Sequence, residues 1–304
     1  MIPVFIVSGF LGSGKTTLIN RFLQLYPQTR VGILTNELGT HDNYEAHNFL
    51  IEEFRVDQLR THCISCLPAN ELHQKLSRLL KRVKPTLLFI EASGLSHPAT
   101  LIQLLQSNTL QNRIQVLAVI NVIDSLNWQG YRKQFCEVEE QLRFSSLTYL
   151  SKSHLISSEK LNSLIQEIQA VKSSQPIFRS VEQIPWKLLL ESRAPLNLEF
   201  TRSESHDHSH LNYLEYSLHQ PLDPHKLGLY LKNLNPKILR IKGQLYLKHP
   251  SSQFSRYILN HAFALSLLSV RSWPWLQKKQ TRLLVIGQEL NSTQIKEELN
   301  LLVG

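Results

Sequence analysis

The sequence predicts an α/β fold: a doubly wound, mostly parallel sheet followed by a small C-terminal α+β domain. Three observations predict it. Apolar runs at 2–7, 86–90 and 116–123 read as strands, the continuous one at 86–90 as a strand covered on both faces, with helical spacing between them. The first run leads into Gly9-Phe10-Leu11-Gly12-Ser13-Gly14-Lys15-Thr16, which fits the pattern G-x-x-x-x-G-K-[ST] between a strand and a helix. A polar break at 202–210 then separates this αβ alternation from a shorter run of strands and helices.

The glycine-rich stretch reads as a phosphate-binding loop, and its expected chemistry follows from its residues. Glycines let successive backbone N–H groups face phosphate oxygens, and the helix N-terminus adds its partial positive charge. Gly9, Gly12, Ser13, Gly14, Lys15, Thr16 and Thr17 are therefore the candidate nucleotide-binding residues. Lys15 is placed to meet the β- and γ-phosphates, and Thr16 to hold Mg²⁺ through its hydroxyl.

Taken in order, Ile2–Val7 is a strand, Thr17–Leu23 the first turns of a helix, and Arg30–Thr35 a second strand ending at Asn36-Glu37-Leu38-Gly39. A short strand is expected at 50–54, before Cys63-Ile64-Ser65-Cys66. Residues 70–84 form an amphipathic helix with Leu72, Leu76, Leu79 and Leu80 on one face. Thr86–Ile90 is a strand ending in Glu91-Ala92-Ser93-Gly94; Val116–Ile123 ends at Asp124; Leu147–Leu150 precedes Ser151-Lys152-Ser153-His154; Leu161–Val171 is a helix. The nucleotide-binding domain is expected at 1–185, a linker with a histidine tract at 186–210, and the second domain at 211–304. In the latter, Leu211–Leu218, Lys237–Leu247, Tyr257–Val270 and Arg282–Ile286 read as strands. Asp223-Pro224 opens a helix to Leu234, and Ser292–Val303 closes the chain as another.

Composition bounds the function. The 304 residues are 42% hydrophobic and 19% charged, as in an ordinary soluble protein, and no run reaches the length of a membrane span or makes a secretion signal. A cytoplasmic location is the expectation, with no membrane partner. Three cysteines are too few for a disulfide framework, and a Cys-x-x-Cys pair in a reducing compartment points to metal or redox chemistry. Cys136 has no ligand-type neighbour in sequence and reads as structural, and His261, on an apolar strand, as a core or surface residue. The formal charge of +9 gathers at Lys75, Arg78, Lys81, Arg82 and Lys84 and again at Arg271, Lys278, Lys279 and Arg282. Without interleaved aromatics or zinc-finger spacing these read as solvated surface, and nucleic acid is not expected as a partner.

These motifs resemble the CobW-type GTPases, relatives of the UreG and HypB nickel chaperones. The resemblance rests on 9–17, Asn36-Glu37-Leu38-Gly39, the cysteine motif before Asn70-Glu71-Leu72, and Glu91-Ala92-Ser93-Gly94-Leu95 with Pro98. In the second domain it rests on Arg240-Ile241-Lys242-Gly243, Trp273 and Arg282–Gly287. It implies a GTP-hydrolysing metallochaperone or metal-insertase subunit, zinc- or cobalt-linked, that serves a client metalloprotein, with a homodimer as one arrangement. It also implies that Glu91 stands beside Mg²⁺, that Gly94 offers its N–H to the γ-phosphate, and that Glu37 lies in the first switch near Mg²⁺ and the transported metal. Lys15, Thr16, Glu91 and Gly94 are thus the candidate catalytic residues, and Lys152 the lysine that stacks under the base.

The sequence departs from that family twice. Its usual Cys-x-Cys-Cys motif stands here as Cys63-Ile64-Ser65-Cys66, so Cys63 and Cys66 are the candidate thiolate ligands for Zn²⁺ or another divalent metal, with Glu37, His62 or a partner's side chain to complete the set. The family's Asn-Lys-x-Asp stands as Ser151-Lys152-Ser153-His154. The missing carboxylate would accept two bonds from guanine, each worth on the order of 1.5–3 kcal/mol, so GTP is implied by resemblance while ATP stays compatible with the residues. His206, His208 and His210 form a short chelating tract for Zn²⁺, Ni²⁺ or Co²⁺. The two departures define an alternative, a degenerate nucleotide-binding paralogue that regulates or scaffolds a partner without efficient GTPase activity or metal transfer.

Overall fold

The computed structural model describes residues 1–36, 56–59, 69–96, 98–106, 112–192, 211–249, 255–262, 265–273 and 278–304. The chain divides into two compact units, Met1–Arg202 and Ser203–Gly304.

The first unit alternates strands and helices. In order it contains β1 (Ile2–Ser8), α1 (Lys15–Leu25), β2 (Val31–Asn36), β3 (Val56–Leu59), α2 (Ala69–Val83), β4 (Leu87–Glu91), α3 (Pro98–Leu105), β5 (Ile114–Asp124), α4 (Trp128–Gln134), α5 (Cys136–Arg143), β6 (Leu147–Ser151), α6 (Ser158–Val171), β7 (Ile177–Phe178) and α7 (Trp186–Ser192). Among the described residues the strands form one seven-stranded sheet in the order β3-β2-β4-β1-β5-β6-β7, every neighbouring pair parallel. Because side chains alternate along a strand, β1 feeds two cores. Val4 and Ile6 pack with Leu34, Leu88 and Ile90 under Leu72, Leu76 and Leu79 of α2 and Leu101 and Ile102 of α3. Phe5 and Val7 face the opposite side, with Ile33, Phe89 and Leu18, Ile19 and Phe22 of α1. Burial of both faces is why these strands are continuous apolar runs rather than alternating ones.

The first residues of the linker expected from 186 form α7. Trp186 is 1% exposed, its ring lies edge-on to Phe5, Phe22 and Phe89, and its Nε1 donates to the Val181 carbonyl at 2.8 Å. An enclosed Trp of this kind contributes about 3–5 kcal/mol to a core, so α7 is part of the first unit. The strand expected at 50–54 lies outside the described residues, and β3 stands just after it. Along α2 the spaced leucines are buried while Arg78, Lys81, Arg82 and Lys84 are exposed, which is the amphipathic helix expected.

The second unit contains β8 (Leu211–Leu218), α8 (Pro224–Lys232), β9 (Ile238–Leu245), β10 (Ser255–Ala262), β11 (Leu265–Ser272), β12 (Thr281–Gln288) and α9 (Ser292–Asn300). Among the described residues its five strands make an antiparallel sheet in the order β11-β10-β9-β12-β8. Asp223 caps α8 as expected, accepting from the His225 and Lys226 N–H groups at 2.8 and 3.1 Å with Pro224 in the first turn. Those bonds hold the Asp223 carboxyl below its usual pKa. The single strand expected over 257–270 is instead the antiparallel pair β10 and β11, with Ala262 opposite Leu265. His261 is buried, bonds Ser266 Oγ through Nδ1 at 2.6 Å, and has its pKa lowered by burial, in keeping with a core histidine. Leu214, Tyr216, Ile241, Leu245, Leu259, Leu283 and Val285 meet Leu227 of α8 and Ile295 and Leu299 of α9 in one core. Among the described residues no helix is long and apolar enough to cross a membrane.

Candidate functional site

The carboxyl ends of β1, β4, β5 and β6 lie on one edge of the first sheet, which is where ligands bind in doubly wound folds. The chain leaves β1 through Gly9, Gly12 and Gly14 with φ of +136°, +72° and +100°, values that side chains with a Cβ rarely adopt. Gly14 is the N-cap of α1; it brings no side-chain cap, and no carboxylate stands in the first turn. The helix N-terminus is therefore left to an external anion. Lys15 is 7% exposed, and its Nζ donates to the Gly9 and Phe10 carbonyls at 2.8 and 3.1 Å, folding back over its own loop. The Phe10 ring packs against Tyr131 and Phe135 with centroids 5.0 and 4.7 Å away, which fixes the loop to the α4 segment.

Thr16 Oγ1 donates to Glu91 Oε1 at 2.7 Å, joining the first turn of α1 to the end of β4. Glu91 is 2% exposed and stands opposite Val7 in the parallel ladder. A carboxylate and a hydroxyl gathered beside an anion cradle are the hard oxygen donors that suit Mg²⁺, so these residues fit the ion expected of them. Beyond Ala92, whose N–H donates to the Val7 carbonyl at 2.9 Å, the chain passes against the phosphate loop. A Cβ on Gly94 would lie 2.7 Å from Leu11 N and 2.9 Å from Leu11 Cα, so only glycine permits this approach. The Gln141 side chain of α5, 1% exposed, donates from Nε2 to the Gly94 and Ser96 carbonyls at 3.0 and 3.3 Å and holds the segment in place.

The fourth strand end closes over the loop. Ser151 Oγ donates to the Ser13 carbonyl at 2.5 Å, with the Ile123 carbonyl 3.1 Å away. Lys152, at φ +55°, places Nζ 3.1 Å from the Gly12 carbonyl and 2.7 Å from Asp124 Oδ2. Asp124 also accepts from Leu126 N at Oδ1, 3.0 Å, and from Asn127 Nδ2 at Oδ2, 2.9 Å. His154 follows in an exposed 3₁₀ turn over Ser153–Leu155. A His154→Asp change restores a double acceptor there, and its expected effect is a gain in GTP over ATP preference of about tenfold or more. Competitive titration of the two nucleotides measures it; an unchanged ratio would mean the base never reaches this turn.

Gly9, Gly12, Ser13, Gly14, Lys15, Thr16, Glu91, Gly94 and Lys152 thus come together at one sheet edge, while Thr17 is exposed on the first turn of α1. Glu37, His62, Cys63, Cys66, His206, His208 and His210 lie outside the described residues. Among the described residues no three His, Cys, Asp or Glu side chains gather as a metal site. Cys136, which reads from the sequence as structural, is exposed at the start of α5, and partial burial of its thiol, then Glu137 and Glu140, push its pKa up. Asp124, Gln141 and Ser151 belong to the site without a motif that marks them. Asp124 ends a long apolar strand at the ligand edge, which was a usable signal; Gln141 carries none.

The family model described as the CobW/HypB/UreG nucleotide-binding domain matches residues 3–179, and the Cobalamin synthesis protein cobW C-terminal domain matches residues 212–303. A protein named zinc chaperone CobW from a Sinorhizobium species is 25% identical, aligned over 99% of this chain and 97% of its own. Another of that name from Pseudomonas aeruginosa is 27% identical, over 98% and 90%. Zinc chaperone YjiA from Escherichia coli is 26% identical, over 81% and 82%. Among solved structures, the Zn(II)-bound YjiA GTPase from E. coli is 20% identical with a TM-score of 0.46, covering 100% of this chain and 99% of its own. With the first of these models spanning more than half of the chain and the second most of the remainder, the chain belongs to the CobW/HypB/UreG family and carries the CobW C-terminal domain.

Proposed function

We propose that this protein is a GTP-hydrolysing metallochaperone that carries zinc to a client metalloprotein, its metal affinity set by nucleotide state. The observation that carries the nucleotide half is the 2.7 Å Thr16–Glu91 contact beside a phosphate loop whose glycines and Lys15 are all in place. Lys15 neutralises the terminal phosphates, and the loop N–H groups with the α1 N-terminus orient them. Thr16 and Glu91 would hold Mg²⁺, which when bound neutralises charge on the β- and γ-phosphate oxygens. Gly94, held against Leu11 and by Gln141, presents the segment whose position depends on the terminal phosphate. Zinc as cargo is supported by the relatives named zinc chaperones, with cobalt as the other candidate.

Cys63 and Cys66 are the proposed cargo thiolates, with Glu37 as a third ligand that couples them to nucleotide. Three protein ligands leave one position of a tetrahedral ion open, as a handover site needs. We expect about one zinc per chain at this site once His206, His208 and His210 are replaced, with affinity differing between nucleotide-free and GTP-loaded protein. Cys66→Ala is expected to weaken that zinc by about 100-fold, at the upper end of what losing even a supporting residue costs. Chelator competition measures both. Affinity untouched by the cysteine change would favour the regulatory paralogue, to which Ser65 and the exposed His154 also point.

A further inference from the structure

We infer that Asp124, through Lys152, is a positioning residue for the phosphate loop, so that this chain keeps its β6 end as a latch on phosphate binding independent of the base. Two bonds run from β6 to consecutive loop carbonyls: Lys152 Nζ to Gly12 and Ser151 Oγ to Ser13. A trans peptide directs its C=O and the following N–H to opposite sides. Holding the Ser13 carbonyl toward Ser151 therefore turns the Gly14 N–H away from β6, while holding the Gly12 carbonyl toward Lys152 fixes the peptide before it. The Ser13 N–H is itself spent on the Phe10 carbonyl at 3.2 Å, so the loop has few ways to reorient.

A lysine ammonium on a flexible stem does not by itself choose one carbonyl. Here Asp124 chooses for it. Its side chain is 1% exposed, lies 2.7 Å from Nζ, and is aimed by the Leu126 N–H and the Asn127 amide. Lys152 sits in the left-handed region at φ +55°, an unusual backbone for a non-glycine residue, which brings its side chain back over the loop. The side chains of the stretch 151–154 thus divide. Ser151 and Lys152 bond the loop, whereas His154 is exposed. A site built this way takes nucleoside triphosphates through their phosphates, with little distinction between purines.

This rests on the nucleotide-binding reading above, and the test separates the two. Affinities for GTP, ATP and inorganic tripolyphosphate, each with Mg²⁺, are measured calorimetrically for the full chain. The wild type is compared with Asp124→Asn, Lys152→Met and the double variant, at a temperature where circular dichroism shows all four folded. Asp124→Asn keeps an acceptor for the Leu126 N–H while removing the charge that fixes Nζ. Each single variant is expected to weaken all three ligands by the same factor, about 10- to 100-fold, and the double by no more than the weaker single. Lys152→Met supplies the same comparison should Asp124→Asn fold poorly. Unchanged affinities, additive effects, or a loss confined to GTP and ATP with tripolyphosphate spared would each overturn the inference. A wild type that binds none of the three would overturn the nucleotide reading itself.

Discussion

Lys15→Ala is expected to abolish measurable binding of GTP and ATP, a loss of at least about 100-fold, with the fold intact. The side chain is 7% exposed and its ammonium lies inside the loop, against the Gly9 and Phe10 carbonyls. It is the positive charge the loop itself can offer the terminal phosphates, and charge-assisted bonds to phosphate are roughly twice as strong as neutral ones. Two or three such bonds at about 1.5–3 kcal/mol each account for the loss. Stability should change far less. Alanine favours the first turn of α1, which offsets part of the cost of leaving two carbonyls without their donor. Titration calorimetry with both nucleotides, beside a thermal melt, separates the two effects. Equal triphosphate affinity in the wild type and the variant would remove the nucleotide reading.

What the sequence disclosed follows from how far each element announces itself in a local pattern. β1, β4 and β5 are apolar on both faces, so their runs are legible as strands without knowledge of their neighbours. The phosphate loop is legible because one short stretch must contain its glycines, lysine and threonine together. α4 and α5 are not legible, since helices of seven and eight residues are too short to show a period. α3 is not legible either, because Pro98, Ala99, Leu101, Ile102 and Leu105 are all buried, leaving too little polar contrast to mark a face. Cys136 and Gln141 show the same limit in side chains. Nothing adjacent in sequence says that the thiol is exposed and the amide enclosed. Asp124 and Lys152 are 28 residues apart, so their pairing needs the parallel register of β5 and β6. Tyr257–Val270 read as one strand because apolar and polar residues continue across the point where the chain reverses between β10 and β11.

Gly94→Ala should damage both stability and turnover, because the added methyl group has backbone on its far side. It would stand 2.7 Å from Leu11 N and 2.9 Å from Leu11 Cα, closer than carbon approaches either atom without displacement. Leu11 cannot simply withdraw: its neighbour Phe10 is packed between Tyr131 and Phe135, and the Leu11 side chain is 2% exposed. Gly94 is held from the other side, its carbonyl accepting from Gln141 Nε2 at 3.0 Å. The strain therefore divides between the loop that holds phosphate and the segment that follows Glu91. Overpacking of this kind costs about 1–3 kcal/mol of stability. A displacement near 1 Å at reacting groups costs on the order of 100-fold in rate, which is the expected fall in GTP and ATP turnover. Diphosphate affinity should fall much less, since the glycine-rich loop and the α1 N-terminus keep their own sequence. Phosphate-release assays, GDP titration and a melt on the same preparation measure the three effects. If turnover and melting temperature both match the wild type, the segment after β4 moves freely past Leu11, and its close approach has no part in sensing the terminal phosphate.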